Sequence, residues 1–84
     1  NDSLDAIRRL GEQLTELEAQ EQVAQETLRI AHNRYRNGYS SFLDELDAQR
    51  TLFSTQLNVV QTRNDLLLAQ VDLYRALGGG WQVK

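Results

Sequence analysis

The chain has 84 residues, a net charge of −3, no Cys and no Met, so neither a disulfide framework nor a thiolate metal site can form. Eight of its nine cations are Arg, scattered from Arg8 to Arg75 without a basic stripe, which argues against nucleic acid as a partner. The longest apolar run, Leu66 to Ala69, is four residues, far short of the roughly 18 to 20 that a membrane-spanning helix needs.

Zero Pro with abundant Gln, Leu, Ala and Glu points to long helices. Without Met, the chain reads as a processed product or an excised piece of something longer, with at most one domain. From Ile7 onward, apolar residues fall on a heptad seam at Ile7, Leu10, Leu14, Leu17, Ala24, Leu28, Ala31 and Tyr35, with only Glu21 out of place. That spacing predicts a first helix over 3–36. The pattern stops at Asn37-Gly38, where Gly takes the left-handed conformation that closes a helix.

A tip turn over 37–41 follows. Ser40 and Ser41 are N-cap candidates, and Ser41 with Asp44 three residues later approximates a capping box. A second helix is predicted over 42–77, with no breaker before Gly78-Gly79-Gly80 and a tail over 78–84. Two helices of matching length joined by so short a turn lie antiparallel. The fold class expected is all-α, an antiparallel helical hairpin of two long coiled-coil-like helices.

The second helix carries two apolar stripes. With Leu46 as position a, the a stripe reads Leu46, Phe53, Val60, Leu67 and Tyr74, supported at e by Leu43, Leu57 and Val71. The g stripe reads Leu52, Val59, Leu66 and Leu73. At 100° per residue the stripes lie about 120° apart. Between them run Gln49, Gln56, Arg63 and Gln70, and the opposite face carries Asp44, Asp47, Asp65 and Asp72. Two seams separated by polar faces suit a helix with a neighbour on each side, as in a wall closed into a tube; a wide core face in a four-helix bundle is the alternative. A lone hairpin of this length buries little apolar surface, so partners, including self-association, are expected.

Arg34-Tyr35-Arg36-Asn37-Gly38-Tyr39-Ser40-Ser41-Phe42-Leu43-Asp44-Glu45-Leu46-Asp47-Ala48-Gln49-Arg50 resembles the periplasmic-tip motif of TolC-like outer-membrane efflux proteins: a Tyr-x-x-Gly turn, then Leu-Asp-x-Leu-Asp-Ala-Gln-Arg. Leu73 to Trp81 resembles the close of the last long helix in the OprM-like lipoprotein branch. Residues 28–81 carry the specific likeness; residues 1–27 fit as generic heptad helix. The resemblance implies a homotrimer in the bacterial outer membrane, each protomer giving two hairpins to a twelve-helix periplasmic α-barrel. This segment would be the second hairpin and lie in the periplasm. A periplasmic adaptor and an inner-membrane transporter would be its partners in export of small molecules.

The same resemblance places Asp44 and Asp47 at an acidic constriction, with Tyr35 and Arg50 tying neighbouring helices together at the tip. Asn37, Gly38, Tyr39, Ser40 and Ser41 would meet the adaptor. The family's further gate-linking Arg is not matched, since Ser40 stands there. Each residue also has a plainer reading: Asp44 as a helix-dipole carboxylate, Asp47 as an i,i+3 partner of Arg50, Tyr35 as a terminal seam residue, residues 37–41 as a simple turn. Trp81 is expected to pack at the barrel's equator. His32, on a helix beside polar neighbours and with no catalytic partner in reach by spacing, reads as a surface residue.

No cofactor is implied. Gly78 to Gly80 lacks the following Lys-Ser/Thr of a phosphate loop, a single His makes no metal site, and no nucleophile-base pair appears, so no enzyme is expected. The competing functions are a conduit segment of a tripartite efflux pump, a coiled-coil interaction module such as a periplasmic adaptor hairpin, and a soluble four-helix dimer. The Leu-Asp-x-Leu-Asp-Ala-Gln-Arg start and the double seam favour the conduit.

Overall fold

The computed structural model describes residues 2–78; the expected helix stop at Gly79 and Gly80 and the packing of Trp81 lie outside them. Helix α1 spans Asp2–Arg36 and helix α2 spans Phe42–Ala76, each 35 residues and therefore about 52 Å long at 1.5 Å per residue. They form an all-α antiparallel hairpin. The radius of gyration is 19.0 Å and the extents are 62 × 25 × 15 Å, against about 12 Å expected of a compact domain of this size. One helix pair thus supplies all the tertiary structure among the described residues.

Helix α1 ends because Gly38 turns the backbone to φ +79°. Its amide donates to the Tyr35 carbonyl at 3.0 Å and the Tyr39 amide donates to the Arg34 carbonyl at 2.8 Å. This is the Schellman pair of bonds, which satisfies carbonyls that the end of a helix leaves open. Helix α2 starts differently. Ser41 is its N-cap, with extended backbone, but its side chain makes no capping bond. The expected capping box is therefore not formed; Asp44 and Glu45 in the first turn favour the helix only through its dipole.

The seam that closes the hairpin pairs the α1 heptad positions with the g stripe of α2 and with Ala48 and Thr62 beside it. Ala24 on α1 and Ala48 and Val59 on α2 are buried, Val59 at 3 % exposure being the deepest. Leu10, Leu14, Leu17, Leu28, Leu52, Leu66 and Leu73 are half-buried. Glu21, the polar interruption on α1, accepts a hydrogen bond from Gln56 Nε2 at 3.4 Å, and Glu18 accepts one from Arg63 at 3.0 Å. The polar line between the stripes of α2 thus meets the polar positions of α1 along one side of the hairpin.

The other stripe stays open. Phe53 is 64 % exposed, and Leu43, Leu57, Val60, Leu67, Val71 and Tyr74 are exposed with it. Apart from the half-buried Leu46, the side chains at a and e point away from α1, so this apolar line runs along α2 facing outward. Long apolar stripes of this kind mark interaction surfaces.

Two glycines make opposite predictions. A Cβ at Gly38 meets no atom within 4 Å but must sit at positive φ, so Gly38→Ala is expected to cost about 1–2 kcal/mol of backbone strain. A Cβ at Gly11 also meets nothing, and its backbone is helical; Gly11→Ala should gain roughly 0.5–1 kcal/mol. Urea unfolding of the 84-residue chain, followed by helix signal, reads both signs.

Candidate functional site

The residues singled out in the sequence gather at the closed end of the hairpin, in the last turns of α1, the linker 37–41 and the first turns of α2. Of the linker residues, Tyr39 is the most outward, at 75 % exposure. Asn37, Gly38 and Ser41 are also exposed, while Ser40 is half-buried and its hydroxyl has no hydrogen-bond partner. The linker therefore presents one large aromatic ring and small polar groups at the extremity of the molecule.

Asp44 and Asp47 lie about 60° apart around the α2 axis, and both line one groove of about 510 Å³ on a single face of the hairpin. The buried Ala24 and Ala48 give its small apolar floor, the exposed Val23 and Ile30 line it as well, and Arg34 and Thr51 add polar lining. Among the described residues neither carboxylate forms an ion pair. The plainer sequence reading of an Asp47–Arg50 pair is thus not realised. Two exposed carboxylates outside any ion pair outnumber the one Arg34 guanidinium in the groove, and can attract a cation and repel an anion.

Arg50 is exposed and stands outside this groove, in line with Leu43 and Leu57 on the open stripe. Tyr35 does join the two helices, but by its ring: its centroid is 5.3 Å from that of Phe42, with the planes tilted at 57°. It is 44 % exposed, so it caps the seam at its rim and is not a buried core residue. The structure therefore brings Asp44 and Asp47 together, sets Tyr35 against Phe42, and directs Arg50 elsewhere.

One contact escaped the sequence reading. On the opposite face, His32 Nδ1 lies 2.8 Å from Glu45 Oε2. Glu45 is 7 % exposed, and its second oxygen is buried without a partner. A second groove of about 340 Å³ surrounds the pair, lined also by Gln25, Arg29 and Gln49. Arg29 is held by Glu26 through a paired contact; that hydrogen bond keeps the Glu26 carboxyl below the usual carboxylate range. The available signal was position: Glu45 heads the g stripe, seven residues before Leu52, and a charge on a buried stripe calls for a polar partner. Its partner could not be named from spacing, because it lies on the other helix.

Among the described residues no group of three or more His, Cys, Asp or Glu is placed to hold a metal ion, and no helix is long and apolar enough to cross a membrane. Coupling between the two rings at the tip is measurable. A double-mutant cycle of Tyr35→Ala and Phe42→Ala should return about 0.5–1.5 kcal/mol of interaction; a coupling near zero in thermal unfolding would show the rings to be mere neighbours.

Comparison with known proteins bears directly on this arrangement. Residues 2–79 match the family described as outer membrane efflux protein. The chain is 44 % identical over 81 residues to the probable efflux pump outer membrane protein TtgC of Pseudomonas putida, covering 96 % of this chain and 17 % of that protein. It is 41 % identical over 80 residues to the pyoverdine export outer membrane protein OpmQ of Pseudomonas aeruginosa, covering 95 % and 17 %. With the solvent efflux pump outer membrane protein SrpC of Pseudomonas putida it shares 48 % over 54 residues, covering 64 % and 12 %. The chain thus spans about a sixth of the length of the first two relatives and 12 % of the third. No solved structure matches it.

Proposed function

The chain belongs to the outer membrane efflux protein family, and from that premise we propose that it forms part of the periplasmic tunnel wall and tip gate of an outer-membrane channel in a tripartite efflux pump. The observation that carries this reading is the pair of seams on α2: one closed against α1, the other open along the helix. A helix built this way needs a neighbour on its far side. Hairpins set side by side supply that neighbour repeatedly, and the row can close into a tube.

In this reading the 84 residues are one hairpin unit of a homotrimer, with two such units per protomer. The helices extend on the periplasmic side of the membrane; the relatives are named only as outer membrane proteins. Asn37, Gly38, Tyr39, Ser40 and Ser41 meet a periplasmic adaptor, and an inner-membrane transporter supplies energy. The relatives are named for efflux or export of toluene, solvents and pyoverdine; the cargo class proposed here is accordingly small molecules.

The tip groove gives the gate its chemistry. Three copies would bring six carboxylates, from Asp44 and Asp47, around one axis, a ring that selects for cations and binds multivalent ones. Tyr35 and Arg50 would tie adjacent helices together in the resting state: Tyr35 through the ring contact at the seam, Arg50 from its position on the open stripe.

Two measurements test the proposal. Single-channel recording of the full-length protein that carries this hairpin should show cation preference and block by divalent or trivalent cations. With Asp44→Ala and Asp47→Ala together, the half-blocking concentration should rise about tenfold or more as the carboxylate ring is removed. A full-length protein that forms no pore overturns the proposed role in a channel wall and gate. The open stripe is tested separately: the 84-residue chain should sediment as an oligomer, and Val60→Glu with Leu67→Glu should shift it to monomer by burying charge at the contact. Unchanged sedimentation would mean that the stripe does not mediate association.

A further inference from the structure

Two contacts tie the start of α2 to the end of α1: the Tyr35–Phe42 ring pair and the His32–Glu45 polar pair. On each helix the two partners are three residues apart, so they share a face one turn from each other. A single contact lets a helix roll about it. Two successive contacts fix separation and rotation together.

Little else sets the rotation of that first turn. Ser41 contributes no side-chain cap, and the residue next below on the seam is Ala48, which makes a small and smooth contact. Glu45 stands between Asp44 and Asp47 in the chain, about 100° and 200° from them around the axis. It faces the His32 groove while they face the other one. Any roll of α2 that releases Glu45 must therefore swing both aspartates.

We propose that Glu45, held by His32 across the hairpin, is a positioning residue for the acidic pair, locking α2 at the rotation that keeps Asp44 and Asp47 in one groove. The inference rests on the reading of that pair as a cation-binding gate. Burial is what gives the contact its leverage. The Glu45 carboxylate is withdrawn from water and only one of its oxygens is met, by the ring nitrogen of a His32 that is itself 48 % exposed, so turning it away leaves both oxygens unpaired. In the Arg63–Glu18 pair both side chains are exposed and water can replace either partner. Nor does another charge compete for Glu45, since Arg29 is held by Glu26 and the remaining polar groups lining the groove, Gln25 and Gln49, are neutral.

The test is block of the full-length channel by La³⁺ in planar bilayers. Glu45→Leu and His32→Leu should each raise the half-blocking concentration about threefold or more, because a loosened support displaces the carboxylates it holds. The double variant should do no worse than either single one, as expected of partners in one contact. Glu45→Gln keeps an acceptor and His32→Asn keeps an N–H near the position of Nδ1, so both should stay within about twofold of wild type. If the leucine variants yield no channels, His32→Gln decides: it stays polar but carries its amide past the Nδ1 position, and should shift block as leucine would. Wild-type block in these disrupting variants, while Asp44→Asn with Asp47→Asn abolishes block, overturns the positioning role and leaves the gate intact. Block that survives Asp44→Asn with Asp47→Asn overturns the gate reading itself.

Discussion

Everything in this hairpin depends on the pairing of the α1 heptad seam with one of the two apolar stripes of α2. That pairing is thin. Three hydrophobic side chains are buried, two of them alanines, so the helices approach closely but remove little apolar surface from water. Small residues permit the approach, and polar cross-links along one side hold the alignment: His32 to Glu45, Glu21 to Gln56, Glu18 to Arg63. As position falls along α1 it rises along α2, so the three contacts report one antiparallel register through the half of the hairpin nearer the tip.

Closing one stripe leaves the other to face outward. A chain designed to be self-sufficient would turn its largest side chains inward; here Phe53 and Tyr74 stay outside while Ala24 and Ala48 are buried. The bulk lies where a second helix would meet it. This distribution is the physical counterpart of membership in a family of outer-membrane efflux proteins, and it explains why a 35-residue helix carries two apolar lines separated by polar ones.

The tip follows from the same rotation. With the g stripe against α1, Glu45 is drawn into the interface and the aspartates on either side of it are left on the opposite groove. Three carboxylates within four residues thus receive different environments: one buried against His32, two exposed beside Arg34 and a small apolar floor. Gly38 makes the arrangement possible, because its positive φ reverses the chain within five residues and brings Tyr35 to Phe42.

Much of this was legible in the sequence, and the reason is locality. Heptad spacing from Ile7 to Tyr35, the stop at Asn37-Gly38 and the long breaker-free stretch after Ser41 each depend on residues within a turn or two of one another, and each corresponds to a helix or its end. The acidic pair and its shared face also follow from a spacing of three. What the sequence left open was which stripe of α2 meets α1, since g and a are both apolar, and which partners meet across the seam. Those choices were made by the rotation that the 37–41 turn imposes and by the register of residues 13 to 45 positions apart. Hence Glu45 and His32, unremarkable on their own helices, become partners only when the tertiary structure sets one helix against the other.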